Sequence, residues 1–146
     1  MAKLKKLIIA CDGESASGKS TASKLVSKKY KLLLINSGLI YRYCSKLIIK
    51  NKPKSIIPFL QKKFKTVNYR FIAKKKLHSE EISNHVAFLA KNKKVRKIIN
   101  QFQMKIIRSN NRICVEGRDI ASKILSKNPK YDLAFDFKCS LAVAAH

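Results

Sequence analysis

Residues 4–21 read LKKLIIACDGESASGKST, and this stretch decides the fold. The apolar run over residues 4–12 has the length of a buried strand. Residues 13–20 then give the pattern G-x-x-x-x-G-K-S, and the segment after it has apolar side chains at helical spacing, Leu25 and Val26 among them. A strand, a glycine-bracketed loop and a helix in this order are the context in which the pattern binds phosphate.

The loop predicts a site for the phosphates of a nucleoside triphosphate. Glycines let the backbone turn its N–H groups around phosphate oxygens, and the following helix points its N-terminal amides at the same anion. Lys19 is expected to reach the β- and γ-phosphates, and the Ser20 hydroxyl to help hold Mg²⁺. The alternative is a glycine turn that only joins a strand to a helix. The predicted nucleotide-binding residues are Gly13, Glu14, Ser15, Ala16, Ser17, Gly18, Lys19, Ser20 and Thr21.

Beyond this stretch the chain continues the β-α-β-α pattern. Residues 31–37 (KLLLINS) have the pattern of a second buried strand, and residues 38–50 that of a helix. Strands that alternate with helices predict a parallel sheet covered by helices, so the predicted fold class is α/β, a three-layer sandwich of the P-loop NTPase type. The strands are predicted near residues 5–11, 31–36, 112–116 and 132–137.

The middle of the chain departs from this alternation. Residues 65–73 (KTVNYRFIA) alternate loosely, as in a half-exposed strand, whereas residues 79–91 and 93–108 show helical periodicity. Ser79 and the two glutamates after it supply an acidic start for the first of these helices. The predicted parts are a P-loop core at residues 1–50 and 109–146 and a mostly helical insertion at residues 51–108.

The composition limits the class of protein. The chain has 146 residues, of which 46% are hydrophobic, and a formal charge of +25. This hydrophobic content favours a folded domain over a disordered chain. No apolar run approaches the roughly 20 residues of a membrane helix. We therefore expect a soluble, cytoplasmic, monomeric protein that does not bind membranes and whose cysteines are buried reduced thiols: Cys11, Cys44, Cys114 and Cys139.

The positive charge admits any polyanion as a partner, nucleotide or nucleic acid, although a solvated lysine surface explains it as well. Only six of the 33 cationic residues are arginines. Arginine is required where a planar guanidinium group binds a phosphate through two parallel hydrogen bonds, and lysine cannot replace it there. A basic nucleic-acid-binding module without kinase activity is the competing hypothesis. The sequence lacks aromatic stacking runs and keeps the G-K-S pattern, so nucleic acid is the less favoured partner. Tight, steeply salt-dependent RNA binding without nucleotide binding would reverse that order.

Two further strand ends narrow the choice among P-loop proteins. Residues 36–42 read NSGLIYR, and residues 116–119 read EGRD. Open α/β sheets build their sites at the carboxyl ends of the strands. Each segment brings an arginine to that edge, which suits a second substrate that carries phosphate. The sequence has no N-K-x-D of the kind that reads guanine in GTPases, which argues against a GTPase.

With these segments in place, the sequence resembles the bacterial cytidylate kinases. The resemblance implies an enzyme that passes the γ-phosphoryl group of ATP, with Mg²⁺, to CMP or dCMP and gives ADP and CDP or dCDP. Another P-loop small-molecule kinase is the alternative. The matching stretches, which with the last strand cover nearly all of the chain in the family's order, are IIACDGESASGKST, LLLINSGLIYRYCSKL, EISNHVAFLAKNKKVRKIINQFQ and ICVEGRDIASKI.

The resemblance also implies roles for residues outside the loop. Ser37 and Arg42 match positions that bind the monophosphate, and Arg96 matches an arginine that reaches it from the inserted, monophosphate-binding part. Arg118 and Asp119 match a pair that contacts the acceptor nucleotide, Asp119 at its ribose. Each of these residues also has a simpler alternative role. Arg42 and Arg96 are then solvated helix arginines, and Ser37 is only a helix cap. Asp119 then forms an ion pair with Arg118 and contacts no nucleotide. The implied catalytic residues are Lys19, Arg118 and Asp119.

Three features depart from the family's pattern. Ala87 stands where the family usually has a serine that reads the cytosine edge, so we expect looser base selectivity. The stretch of residues 65–80 is shorter than the three-stranded insert that the family usually has at this place. The sequence given stops at His146, before the family's arginine-rich lid. We therefore expect a truncated chain with an exposed apolar strand at residues 131–139, weak ATP binding, little phosphoryl transfer and marginal stability.

Overall fold

The computed structural model describes residues 4–14 and 17–138 of the chain. Within them the strands are β1 Leu7–Gly13, β2 Leu33–Asn36, β3 Arg112–Gly117 and β4 Leu133–Phe137. The α-helices are α1 Lys19–Tyr30, α2 Ser37–Asn51, α3 Ile56–Thr66, α4 Tyr69–Ala73, α5 Glu80–Leu89 and α6 Lys93–Arg108. A single π-helical turn covers Ile120–Ile124, after β3.

The strands form one parallel sheet in the order β2-β3-β1-β4, which confirms the predicted α/β class. The interior of β1 and β3 is buried, and their runs of Ile, Val and Cys suit central strands of a parallel sheet. The register aligns Asn36 with Glu116 and Asp12 with Gly117. The polar residues at the ends of these strands therefore share one edge of the sheet.

Helix α1 packs on the sheet through small side chains. Ser23 and Ser27 are buried, and Val26 packs against a buried cluster, whereas Leu25 is 65% exposed. Leu25 shares the helical spacing of Val26 but does not face the sheet, because it lies about 200° of helix rotation from Ser23. The small serines allow the helix to lie close to the strands. The buried cluster consists of Ile9, Cys11, Leu32 and Cys114.

The cysteines that the structure describes are buried. Cys11, Cys44 and Cys114 are free thiols in the interior, as predicted. The sulfur atoms of Cys11 and Cys114 lie 3.8 Å apart on neighbouring strands. Cys139 lies outside the described residues.

Strand β4 lies at one edge of the described sheet and exposes apolar side chains. Leu133 is 50% exposed and Phe135 44% exposed, while Phe137 packs against the buried cluster beside β1. The exposed strand predicted at residues 131–139 is thus present over its described part. Along the described part of the chain, none of the helices has the length and apolar character needed to cross a membrane.

The structure groups into two compact units, residues 1–37 with 105–146 and residues 38–104, and each is described by itself. In the second unit, residues 65–73 form the end of α3, a two-residue connection and α4, so the predicted half-exposed strand is wrong. Pro58 stands in the first turn of α3, where its missing N–H would have no helical partner. Asn68 starts α4 by accepting a hydrogen bond from the Arg70 amide at 2.8 Å.

The second unit has an aromatic core, and a serine side chain caps one of the helices around it. The Phe64 ring lies 6.0 Å from Tyr43 and 4.9 Å from Phe102 between centroids, in edge-to-face arrangements that aromatic pairs prefer. Ser79 begins α5 as predicted, since its hydroxyl accepts a hydrogen bond from the Ile82 amide at 3.2 Å. Helix α6 has the bounds predicted from its periodicity.

Candidate functional site

The phosphate loop joins the end of β1 to the start of α1. Gly18 precedes the helix with φ at 84°, in the left-handed region that favours glycine. Its carbonyl accepts a hydrogen bond from the Ala22 amide at 3.0 Å, which starts the helix. Glu14 and Thr21 are exposed. The predicted loop residues Ser15 and Ala16 lie outside the described residues.

Lys19 ties this loop to the end of the neighbouring strand. Its ammonium group is half-buried and donates hydrogen bonds to the Gly13 carbonyl at 2.6 Å and to the Gly117 carbonyl at 3.3 Å. Gly13 ends β1 and Gly117 ends β3, so Lys19 stands at the junction of the loop and the turn after β3. A cation held there by backbone carbonyls is positioned to meet an anion at the loop.

The environment of Lys19 predicts a pH dependence for nucleotide binding. Burial lowers the pKa of the Lys19 ammonium, and Arg118 lowers it further, while Glu116 and Asp12 oppose the shift. Because phosphate binding needs the charged form, the affinity for ATP that is predicted for this loop should fall as the pH rises, beginning below the ordinary lysine value of 10.5. Equilibrium dialysis between about pH 7 and pH 10 measures this. Lys19→Arg, which keeps its charge, should flatten the profile; an equally steep profile in that variant would contradict the assignment.

Glu116 is a candidate site residue that the sequence reasoning did not single out. It is 1% exposed at the end of β3, and its Oε1 accepts a hydrogen bond from the Ser20 hydroxyl at 3.3 Å. Its Oε2 and the Ser17 hydroxyl are buried without a hydrogen-bond partner among the described residues. Buried unpaired oxygens are costly unless a ligand satisfies them. A carboxylate at the second-last position of a strand beside the loop was the available signal.

The oxygens of Ser20 and Glu116 fit a hard cation such as Mg²⁺, which prefers oxygen ligands and binds with few protein groups. Over residues 4–14 and 17–138, no group of three or more His, Cys, Asp or Glu side chains gathers to hold a metal. A cation at this position would therefore complete its coordination with phosphate oxygens and water, as is usual for Mg²⁺ at nucleotide sites.

Asp12 fixes the turn that carries Arg118 and Asp119. Its Oδ1 accepts a hydrogen bond from the Ile120 amide at 2.5 Å, and its Oδ2 from the Ala121 amide at 3.0 Å. The turn is thereby held against the end of β1. The sequence reasoning missed Asp12, because its partners are 108 and 109 positions away along the chain.

Arg118 and Asp119 are both exposed on this turn. Asp119 has φ at 56°, and its carboxylate lies 3.5 Å from the Lys123 ammonium in an exposed pair. An exposed ion pair of this kind contributes little to stability, so the pair with Lys123 does not prevent Asp119 from binding a ligand. The exposed Arg118 side chain is available as well. Ser37, the first residue of α2, is buried. A Cβ atom added to Gly117 would lie 2.9 Å from the Cβ atom of Ser37. Ser37 therefore lies beside the same turn.

The two other predicted arginines lie in the unit of residues 38–104. Arg42 is half-buried and donates hydrogen bonds from Nη1 to the Ser83 hydroxyl at 2.8 Å and to the Leu77 carbonyl at 3.5 Å. It is therefore not a freely solvated helix arginine. Arg96 is also half-buried, and its charge acts on Tyr41, whose pKa is raised by burial and lowered to a smaller extent by Arg96.

Comparison with known proteins decides the family. The sequence profile described as cytidylate kinase matches residues 9–131. The chain belongs to the cytidylate kinase family. It is 32% identical over 135 residues to a cytidylate kinase of Listeria monocytogenes serotype 4b (strain CLIP80459), and 31% identical over 133 residues to one of Aquifex aeolicus (strain VF5). Each of these alignments covers 83% of this chain and 60% of the relative.

Cytidylate kinase sequences also occur in longer fusions. The chain is 36% identical over 134 residues to a bifunctional pantoate ligase/cytidylate kinase of Prochlorococcus marinus (strain AS9601), covering 80% of this chain and 26% of that protein. The chain spans about 60% of the length of the curated cytidylate kinases that it matches.

Proposed function

We propose that the chain carries the phosphoryl-transfer site of an ATP-dependent kinase that converts CMP or dCMP to CDP or dCDP. The observation that carries the proposal is the position of Lys19, hydrogen-bonded to both the phosphate loop and the end of β3. Arg118 and Asp119 follow β3 on the turn held by Asp12. Membership of the cytidylate kinase family supports the acceptor class. A donor site and an acceptor site that meet at one junction suit transfer between two nucleotides.

The proposed reaction needs no nucleophile from the protein. An oxygen of the acceptor phosphate attacks the γ-phosphorus in line, the bond from that phosphorus to its bridging oxygen breaks, and ADP leaves. Lys19 stabilises the negative charge on the transferring group. We assign Arg42, Arg96 and Arg118 to the acceptor phosphate. Positioning and electrostatic stabilisation supply most of the rate enhancement in reactions of this kind.

The remaining predicted residues have binding roles in this proposal. Ser37 lies beside the turn after β3 and binds the acceptor phosphate, and Asp119 binds the acceptor ribose. The loop residues 13–21 surround the phosphates of ATP with backbone amides. We also propose that the protein acts in the cytoplasm as a monomer whose partners are nucleotides. Sedimentation at several protein concentrations tests the monomer.

We further propose that Ser20 and Glu116 hold Mg²⁺ with the bound ATP, where the ion neutralises phosphate charge. Glu116→Gln should remove about a tenfold gain in ATP affinity that Mg²⁺ confers, because a carboxamide is a much weaker ligand for a hard cation. Isothermal titration of ATP with Mg²⁺ and with EDTA measures that gain. Glu14→Gln, a change at an exposed acid of the same loop, is the matched control. An equal loss of affinity in EDTA would contradict a role in metal binding.

The acceptor assignment is tested by ADP release from ATP with CMP, dCMP, UMP or AMP as the second substrate. We expect CMP and dCMP to be preferred, with UMP accepted to a lesser extent because Ala87 lacks the hydroxyl that the family's serine provides. A preference for AMP would overturn the assignment.

A further inference from the structure

Arg42 is held by one of its terminal nitrogens. In the unit of residues 38–104, Nη1 donates to the Ser83 hydroxyl at 2.8 Å and to the Leu77 carbonyl at 3.5 Å. Leu77 is fully buried, which fixes its carbonyl. Ser83 lies in the first turn of α5, where the Ser79 cap and the buried Ile82 fix the rotation of the helix. Both acceptors are therefore fixed before any ligand binds.

These two hydrogen bonds select one edge of the guanidinium group. The group has five N–H donors in one plane, of which Nη1 carries two. With both of these directed at Ser83 and Leu77, the remaining parallel donors are those of Nε and Nη2 on the adjacent edge. Two parallel N–H groups match two oxygens of a phosphate, which is the bidentate arrangement that arginine forms with phosphate.

We propose that Ser83 is a positioning residue, which holds Arg42 so that its Nε–Nη2 edge grips the acceptor phosphate. This inference rests on the proposed function, in which Arg42 binds the acceptor. Ser83 contributes more than Leu77, since 2.8 Å is an ordinary hydrogen-bond length and 3.5 Å is at the limit. Without the hydroxyl, the arginine can rotate about its long side chain, and ordering it on binding costs conformational entropy.

The experiment compares binding of CMP and of cytidine, which lacks the phosphate, to the full chain by isothermal titration. The ratio of the two affinities reports the contribution of the phosphate. Ser83→Ala should lower the affinity for CMP by about five- to tenfold and leave that for cytidine unchanged, a loss typical of a single hydrogen bond. Ser83→Thr, which keeps the hydroxyl, should restore the ratio. Asn84→Ala, at the exposed next position, is the matched control.

The outcomes separate this inference from the proposed function. If the unmodified chain binds CMP no more tightly than cytidine, the acceptor role of Arg42 fails, and the role of Ser83 fails with it. If Arg42→Ala abolishes the preference for CMP but Ser83→Ala keeps it, the inference about Ser83 is wrong and the proposed function stands. If Ser83→Ala weakens both ligands equally, the hydroxyl has a structural role only, which also overturns the inference.

Discussion

Lys19→Ala is expected to lower the affinity of the chain for ATP by about 100-fold and to abolish the small amount of phosphoryl transfer expected of it. The variant removes a half-buried cation that now donates to the Gly13 and Gly117 carbonyls at the junction of loop and strand. Removing one partner from a close, partly desolvated charge contact costs about 2–5 kcal/mol of binding free energy. The uncompensated phosphate charge would also raise the barrier to transfer. Isothermal titration with ATP and Mg²⁺ measures the first effect, and ADP release measures the second.

The control for this variant is Lys24→Ala, which removes an exposed lysine from the same helix. It changes the net charge by the same amount, so an effect of the overall field would appear in both variants. We expect Lys24→Ala to bind ATP within about twofold of the unmodified chain, since exposed charges contribute little. Near-normal ATP affinity in Lys19→Ala would refute the phosphate-loop assignment itself. Circular dichroism of both variants confirms that they fold.

The core of the fold could be predicted because local and tertiary preferences agree there. Three features each indicate one local structure: the apolar run of β1, the glycine pattern after it and the periodicity of α6. The folded chain has the same local structure at each of these places. The segment at residues 65–73 has no such agreement. Its loose alternation fits a strand or two short helices, and burial of Phe64, Tyr69 and Ile72 in the second unit selects the helices.

The candidate site was predictable where its residues lie within one motif. Lys19 and Ser20 belong to the loop pattern, and Arg118 follows a strand end. Asp12 and Glu116 act across strands, through hydrogen bonds to residues about a hundred positions away, so their partners depend on sheet register. Ser83 was equally hidden, because nothing in the sequence of α5 shows that its hydroxyl meets an arginine from α2.

Gly13→Ala is expected to lower the free energy of unfolding by about 3 kcal/mol, at the upper end of the usual cost of overpacking. A Cβ at this position would lie 2.8 Å from the Phe137 carbonyl oxygen and 3.1 Å from the Phe137 Cβ. Phe137 is the register partner of Gly13 in the parallel pairing of β1 with β4, so its backbone cannot retreat without breaking that pairing. The Ser17 hydroxyl, also at 2.8 Å, can rotate away.

Gly18→Ala is the matched control for this change, because it adds the same methyl group to the other glycine of the loop. A Cβ there meets nothing within 4 Å, so only the left-handed backbone, with φ at 84°, opposes it. We expect Gly18→Ala to cost about 1 kcal/mol, the typical penalty for this conformation. Urea unfolding of both variants measures the difference from their midpoints at constant slope. Equal losses would show that backbone conformation, and not the approach of β4, makes glycine necessary at position 13.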